Sequence, residues 1–313
     1  MAAGAGRFGV RKFGLVLAVA VISGVCGGAA AVALAERHIY CADHENGRLI
    51  KIKEDGTLLW DCPNNNGHDV QLLANGNVLI VTGEVHEVDP QRKVVWRVGK
   101  PTIENAESAQ RLANGHTVVA DNGQHAVLEM DENGKVVWRF DVPNHNQRPE
   151  PTMRQVRRLA NGNTLICAST EDEVWEVSPE KKIVWRFKVP FPYLATRLEN
   201  GNTLISSGDG YGSPRGYFVV EVNPAGEEVW KYGGEGAPAG EELRWPSGFV
   251  RMPDGTTYVS EAQGRDIKVI SRDKKVLRTI TSPDLVHPCT LVVVEEGESR
   301  VESRESRARA GER

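Results

Sequence analysis

The sequence predicts an all-β fold, a six-bladed β-propeller with four antiparallel strands in each blade. Three observations carry this reading. A nine-residue segment recurs as LLANGNVLI, RLANGHTVV, RLANGNTLI and RLENGNTLI, centred on Asn75-Gly76, Asn114-Gly115, Asn161-Gly162 and Asn200-Gly201, with a weaker copy, RMPDGTTYV, ending at Val259. Each copy opens a unit that later reads VVW, IVW or EVW, at Trp96, Trp138, Trp185 and Trp230. The two ends of the repetitive region are incomplete units that complement one another.

The elements follow in order. Asn-Gly between aliphatic and β-branched residues is a strong hairpin signal, and a two-residue type I′ turn is expected because glycine and asparagine tolerate its positive φ angles. A second turn recurs at Asp55-Gly56, Asp89-Pro90, Asn133-Gly134, Asn223-Pro224 and Asp273-Lys274. Each unit therefore reads as strands a to d, with Asn-Gly joining a to b and the second turn joining c to d. Units of roughly 40–50 residues with four strands are propeller blades. Blade two starts near Gly67 and ends near Val98; blade three is Asn105–Phe140, blade four Thr152–Phe187, blade five Pro192–Tyr232 and blade six Trp245–Ile280. His38–Cys62 supplies strands b, c and d without an a, and Pro288–Glu296 supplies an a alone. Joined, they make blade one from both chain ends, which closes the ring without a free sheet edge. The recurring Trp of strand d is read as blade-to-blade core rather than a cofactor stack.

The first 35 residues carry Arg7, Arg11 and Lys12, then an apolar stretch from Phe13 to Ala35 ending in AVALA. That order reads as a secretory signal cleaved before Glu36. The stretch is also long enough for an uncleaved membrane anchor. Cys26 follows Val25, which argues against a lipoprotein signal. Residues 36–296 form the propeller, ample for one core. Residues 297–313 are a polar tail expected to be disordered. Without the three leader cations, 35 basic residues face 42 acidic ones, a net of −7. No basic patch remains, so nucleic acid is not an expected partner. Cys41, Cys62, Cys167 and Cys289 remain without a C-x-x-C, so no cysteine zinc site is expected. Cys41 and Cys289 fall on neighbouring strands of the composite blade, where they are either a disulfide staple or two buried thiols.

The d–a loops are long and irregular at Pro63–Gly67, Pro101–Ala106, Pro143–Pro151 and Gly233–Trp245, and they share one face with the start of strand a. Long loops on a rigid scaffold are the expected carriers of function. Counting seven residues back from each Asn-Gly gives a ring at the channel mouth: His68, Glu107, Arg154, Tyr193, Ser247 and Cys289. Two residues earlier stand Asn66, Asn105, Thr152, Phe191, Trp245 and His287. These positions differ from blade to blade while the turn and Trp positions barely change. His68, Glu107, Arg154, Tyr193, Ser247, Trp245 and His287 are therefore the candidate ligand-binding residues. His68, His287 and Glu107 are metal-ligand types, but a histidine near a loop end more often bonds backbone, and no metal or other cofactor is assigned. His44, His125 and His145 read as solvated loop residues. Arg111, Arg158, Arg197 and Arg251 recur three residues before the turn; they suit an anion, or more simply bond carbonyls of the adjacent blade. Glu171-Asp172-Glu173 and Glu241-Glu242 read as solvated surface, without a calcium-loop pattern.

GHDVQLLANGNVLI and HAVLEMDENGKVVWRF resemble blades of the bacterial arylsulfotransferase-like and pyrroloquinoline-quinone-like propellers. The resemblance covers nearly the whole chain beyond the leader. For the sulfotransferases it implies sulfuryl transfer through a channel histidine, matched here by His68; a counterpart of their extra N-terminal domain is not expected. Quinone dehydrogenases are built from eight blades with a pair of adjacent cysteines, which this chain lacks. Lactonase-type propellers imply a carboxylate and amide set around a metal, to which Glu107 and Asn105 would contribute. The expected function is an exported periplasmic or secreted binding or scaffold propeller, recognising a small molecule or a protein on its long-loop face, and touching a membrane only through an uncleaved leader. The alternative is an arylsulfotransferase-like enzyme with His68 as the covalent nucleophile, and with Arg154 and His287 to stabilise the transferred group.

Overall fold

The computed structural model describes residues 36–63, 67–147, 152–208 and 216–296. The expected leader and tail lie outside them. Among the described residues, six four-stranded antiparallel sheets form a six-bladed propeller, with one short 3-10 turn at Ser169–Glu171. Blade one is composite: strand a, Pro288–Glu296, pairs with Glu36–Asp43, followed by Arg48–Lys53 and Leu58–Pro63. Ile39 faces Val293 and Cys41 faces Leu291, which puts Cys41 and Cys289 on a diagonal. Both are free, buried thiols. No helix among the described residues is long and apolar enough to cross a membrane.

The remaining innermost strands are Asp69–Leu72, Ala106–Arg111, Val156–Arg158, Pro192–Arg197 and Pro246–Arg251, arranged with Pro288–Glu296 around a central channel. The b strands of blades two to six are buried along their whole length, as at Val78–Val81 and Thr117–Asp121, because a neighbouring blade covers each face. The core accordingly lies between blades: Ile39, Ile50 and Leu291 of blade one pack with Tyr258, Ile267 and Ile280 of blade six.

The a–b turn is not the expected type I′. Gly76, Gly115, Gly162 and Gly201 have φ near +85°, whereas the preceding asparagines do not have positive φ. Gly76 N–H donates to Leu73 O and Leu73 N–H to Asn77 O, both at 2.9 Å. This is a type I turn closed by a left-handed glycine, the three-residue hairpin loop. Asn stays right-handed because its side chain caps the loop: Asn75 Oδ1 accepts the Asn77 N–H at 3.0 Å, and Asn161 and Asn200 repeat the bond.

The repeated Arg and Trp turn out to be one device. Arg111, Arg158, Arg197 and Arg251 each lie over the Trp of the preceding blade, at 4.2–5.4 Å for Trp96, Trp138, Trp185 and Trp230. Each also pairs with a strand-c carboxylate of that blade, Glu87, Glu129, Glu176 or Glu221. The turn amides hold the same carboxylate: Asn161 and Asn163 donate to Glu176 Oε1 at 3.1 and 2.6 Å. The arginines thus serve inter-blade clips rather than an anion site or adjacent-blade carbonyls, because a planar guanidinium can stack on indole while its edge meets a carboxylate.

Candidate functional site

Side-chain clamps hold the loops that lead into four of the innermost strands. Asp43, at the end of a b strand, accepts the N–H groups of Val286 and His287 at 2.7 and 3.0 Å. Asp121 accepts those of Glu104 and Asn105, both at 2.9 Å, and Glu261 accepts that of Arg244. Asn122 grips Met153 through both its amide atoms at 3.0 Å. These clamps fix where Glu107, Arg154, Trp245 and His287 begin their strands. The sequence carries a signal for three of them, an acid that closes strand b in CAD, VAD and VSE.

Seven side chains then close a ring at the channel mouth. His68 Nδ1 lies 4.0 Å from Glu107 Oε1, and Arg154 Nη1 donates to that oxygen at 2.7 Å. The Arg154 guanidinium sits 5.0 Å from the Tyr193 ring centroid. Tyr193 meets Trp245 edge-on at 6.1 Å, Trp245 meets His287 edge-on at 4.9 Å, and His287 lies 5.5 Å from His44. His44 stacks on His68 at 4.1 Å, which completes the circle. All six blades contribute, blade one twice.

The ring therefore brings together His68, Glu107, Arg154, Tyr193, Trp245 and His287. It adds His44, expected to be solvated, because the b–c turn of blade one folds inward over the mouth. Ser247 is left out: it is fully buried and donates its hydroxyl to Pro288 O at 2.5 Å, a blade-to-blade bond. Cys289 lies beneath the ring and contacts Tyr193. His125 bonds Thr152, and His145 is exposed and bonds Glu171. Asn66 lies outside the described residues. Among the described residues, no group of three or more His, Cys, Asp or Glu is placed to hold a metal.

The electrostatics of the ring are muted. Burial lowers the His68 imidazole to about 4, against the opposing pull of Glu107, so it is neutral at ordinary pH. Burial also lowers His287, partly offset by its 3.1 Å contact with Glu45. Burial pushes the Glu107 carboxyl up, but facing His68 and Arg154 reverse this and leave it below its ordinary value. Burial raises the Tyr193 phenol well above its usual range. In the ring, His68 Nδ1 and Trp245 Nε1 are buried atoms without a hydrogen bond among the described residues. Trp245 also has φ +62°, a left-handed conformation costly for a bulky side chain. Orphaned buried donors and a strained aromatic backbone cluster at sites completed by a water or a ligand.

A neutral imidazole is a competent nucleophile. The cation assigned to stabilise a transferred anion, Arg154, is however spent on Glu107, and the Glu107 carboxylate beside His68 would repel an anionic donor. The site suits an uncharged or aromatic group bearing a hydrogen-bond acceptor better than a sulfate.

Comparison with known proteins places the fold. Residues 81–301 match the family model for the PQQ-like repeat described as outer membrane protein assembly factor BamB. The chain belongs to this family. The match supports the PQQ-like half of the resemblance and lends none to the arylsulfotransferase half. No curated protein matches the chain. Among solved structures, a protein of unknown function from Bacteroides caccae is 19% identical with a TM-score of 0.68, covering 84% of this chain and 100% of its own. The nidogen/laminin complex is 10% identical with a TM-score of 0.62, covering 82% of this chain and 98% of that one. A virginiamycin B lyase from Staphylococcus aureus is 12% identical with a TM-score of 0.53, covering 82% and 78%. At these identities the likeness is one of fold.

Proposed function

We propose that this chain is an exported propeller that binds a ligand or partner group on its long-loop face, at the ring of His44, His68, Glu107, Arg154, Tyr193, Trp245 and His287. The observation that carries the reading is the pair of buried nitrogens without a hydrogen bond, His68 Nδ1 and Trp245 Nε1, within a ring drawn from every blade. An acceptor group entering the ring would satisfy the Trp245 N–H and the neutral His68, and would gain aromatic contact with Trp245. Membership of the BamB-type family and the basic-apolar-small order of the first 35 residues support export.

The experiment is an untargeted mass-spectrometric search for small molecules and metals retained by the protein purified from outside the cytoplasm, run beside His68→Ala and Trp245→Ala. A compound retained by the wild type and lost from both variants is the expected result. Equal retention by all three, or retention of nothing, defeats the reading. Amino-terminal sequencing of the same material is expected to begin at or near Glu36, whereas an intact Met1 in a membrane fraction would establish an anchor.

A further inference from the structure

The inter-blade clip occurs at four junctions and is replaced at the two that flank blade one. Between blades one and two, Lys51 faces Trp60 where the other blades put glutamate, and Leu72 takes the arginine position. Between blades six and one, Val269 faces Arg278 in place of the Glu–Trp pair, and Val293 takes the arginine position. Short aliphatic side chains thus stand where a guanidinium bridges the blades elsewhere. A groove of ≈ 970 Å³ opens there, on the a–b turn face opposite the ring. Its apolar wall is Tyr40, Leu72, Met252, Val293 and Val294. Its rim charges are largely satisfied internally: Arg37 pairs with Asp254 at 3.0 Å and Glu295 at 2.9 Å, and Lys51 lies 5.3 Å over Tyr40.

A second cavity shares one lining residue, Leu72, with the groove. It is a ≈ 280 Å³ space in the central channel, walled by all six innermost strands. Its lining mixes aliphatic and aromatic side chains, among them Leu194, Phe249 and Val250, with a few polar ones. Arg157 is held by Asp69 through two bonds of 2.7–2.8 Å, with Ser108 bridging them. Gln110 Oε1 accepts the Arg158 N–H and Gln155 Oε1 the Ala195 N–H, which leaves the amide nitrogens as the groups offered to the channel. The hydroxyls of Thr196 and Thr290 complete the set. The few polar groups, two amides and two hydroxyls, thus lie in a largely apolar space with its arginine charge paired, beside an aliphatic trough.

We propose that channel and groove form one binding site for a neutral single-chain amphiphile, its oxygen-bearing head among Gln110, Gln155, Thr196 and Thr290 and its acyl chain along Leu72, Val293 and Met252. An anionic head would find Arg157 already neutralised by Asp69, and a cationic one would find few acceptors. This site is separate from the ring and does not depend on it.

The test uses 1-monolauroylglycerol below its micelle-forming concentration, titrated into the full exported chain by calorimetry. Saturable binding of a single molecule is expected. Leu72→Arg with Lys51→Glu rebuilds the clip of the other junctions and fills the groove; it is expected to fold and to weaken binding about tenfold or more, the equivalent of losing two buried methylenes. Thr196→Val with Thr290→Val adds no bulk and is expected to weaken binding through the head alone. His68→Ala is expected to bind as the wild type does. The proposal is overturned if the wild type shows no saturable binding, if the threonine pair binds unchanged, or if the folded clip variant binds unchanged.

Discussion

Glu221 is the most stringent place to test how the blades are held together. Its carboxylate is fully buried, accepts Asn202 Nδ2 at 2.7 Å and Arg251 Nη1 at 3.1 Å, and is bonded by Arg272 as well. Arg251 and Arg272 both lie over Trp230, at 4.6 and 5.9 Å. Glu221→Ala therefore strands two cations and an amide between blades five and six. Removing one partner of a buried pair costs about 3–5 kcal/mol, and the second arginine, half exposed, recovers part of its loss from water. A loss of about 3 kcal/mol is expected, a melting-temperature drop of roughly 6–12 °C for a domain of this size. Urea denaturation and calorimetry at neutral pH read it directly. The pH dependence gives an internal check. Burial pushes the Glu221 carboxyl up, but Arg272, Asn202 and Arg251 reverse this and hold it below its ordinary 4.5. A depressed carboxyl contributes stability above its unfolded value and loses it as pH falls through the folded one, so the gap between wild type and variant is expected to close on acidification. A gap under about 1 kcal/mol at neutral pH, within the range of an ordinary surface pair, would show that the clip is decorative and that apolar contact alone joins the blades.

Three further outcomes are expected. Burial holds His68 at about 4 instead of 6.5, so the unfolded chain binds its proton first and stability falls between pH 6.5 and 4, by up to roughly 3 kcal/mol; His68→Gln should flatten this part of the stability profile, and an unchanged profile would mean the imidazole is solvated. A chain ending at Pro283 lacks the innermost strand of blade one and exposes the edge of Glu36–Asp43, so it should be insoluble or strongly destabilised, whereas a chain ending at Gly297 should melt like the full one; equal melting of both would refute the composite blade. Cys41, Cys62, Cys167 and Cys289 are buried, and burial raises each thiol; the folded chain from Glu36 should therefore show no fast-reacting thiol to a disulfide reagent, and rapid modification of even one would contradict the packing.

The fold could be read from the sequence because its determinants are local. Asn-Gly, Asp-Gly and the VVW runs each report on a handful of consecutive residues, and their spacing counts the blades. The turn subtype escaped because both hairpin loops favour Asn-Gly, and only the Asn75 side-chain bond to Asn77 settles which backbone forms. The clip escaped for a different reason. Glu176 and Arg197 lie 21 residues apart and on different blades, so nothing short-range links them. At the mouth, alignment of the repeats located His68, Glu107, Arg154 and Tyr193, since equivalent positions in a ring must converge. It misplaced Ser247, whose hydroxyl turns to the next blade, and passed over His44, because a b–c turn folding inward leaves no periodic trace. The groove beside blade one was visible only as departures, Lys51, Leu72 and Val293, from a pattern whose meaning needed the structure.

The most direct test of the proposed ring site is a high-resolution crystal structure of the protein, taken without extensive dialysis. The account predicts density larger than one water inside the ring, with an acceptor atom roughly 2.7–3.2 Å from both Trp245 Nε1 and His68 Nδ1. A lone water, or a protein side chain satisfying both nitrogens, would show that the ring is a structural plug and not a binding site.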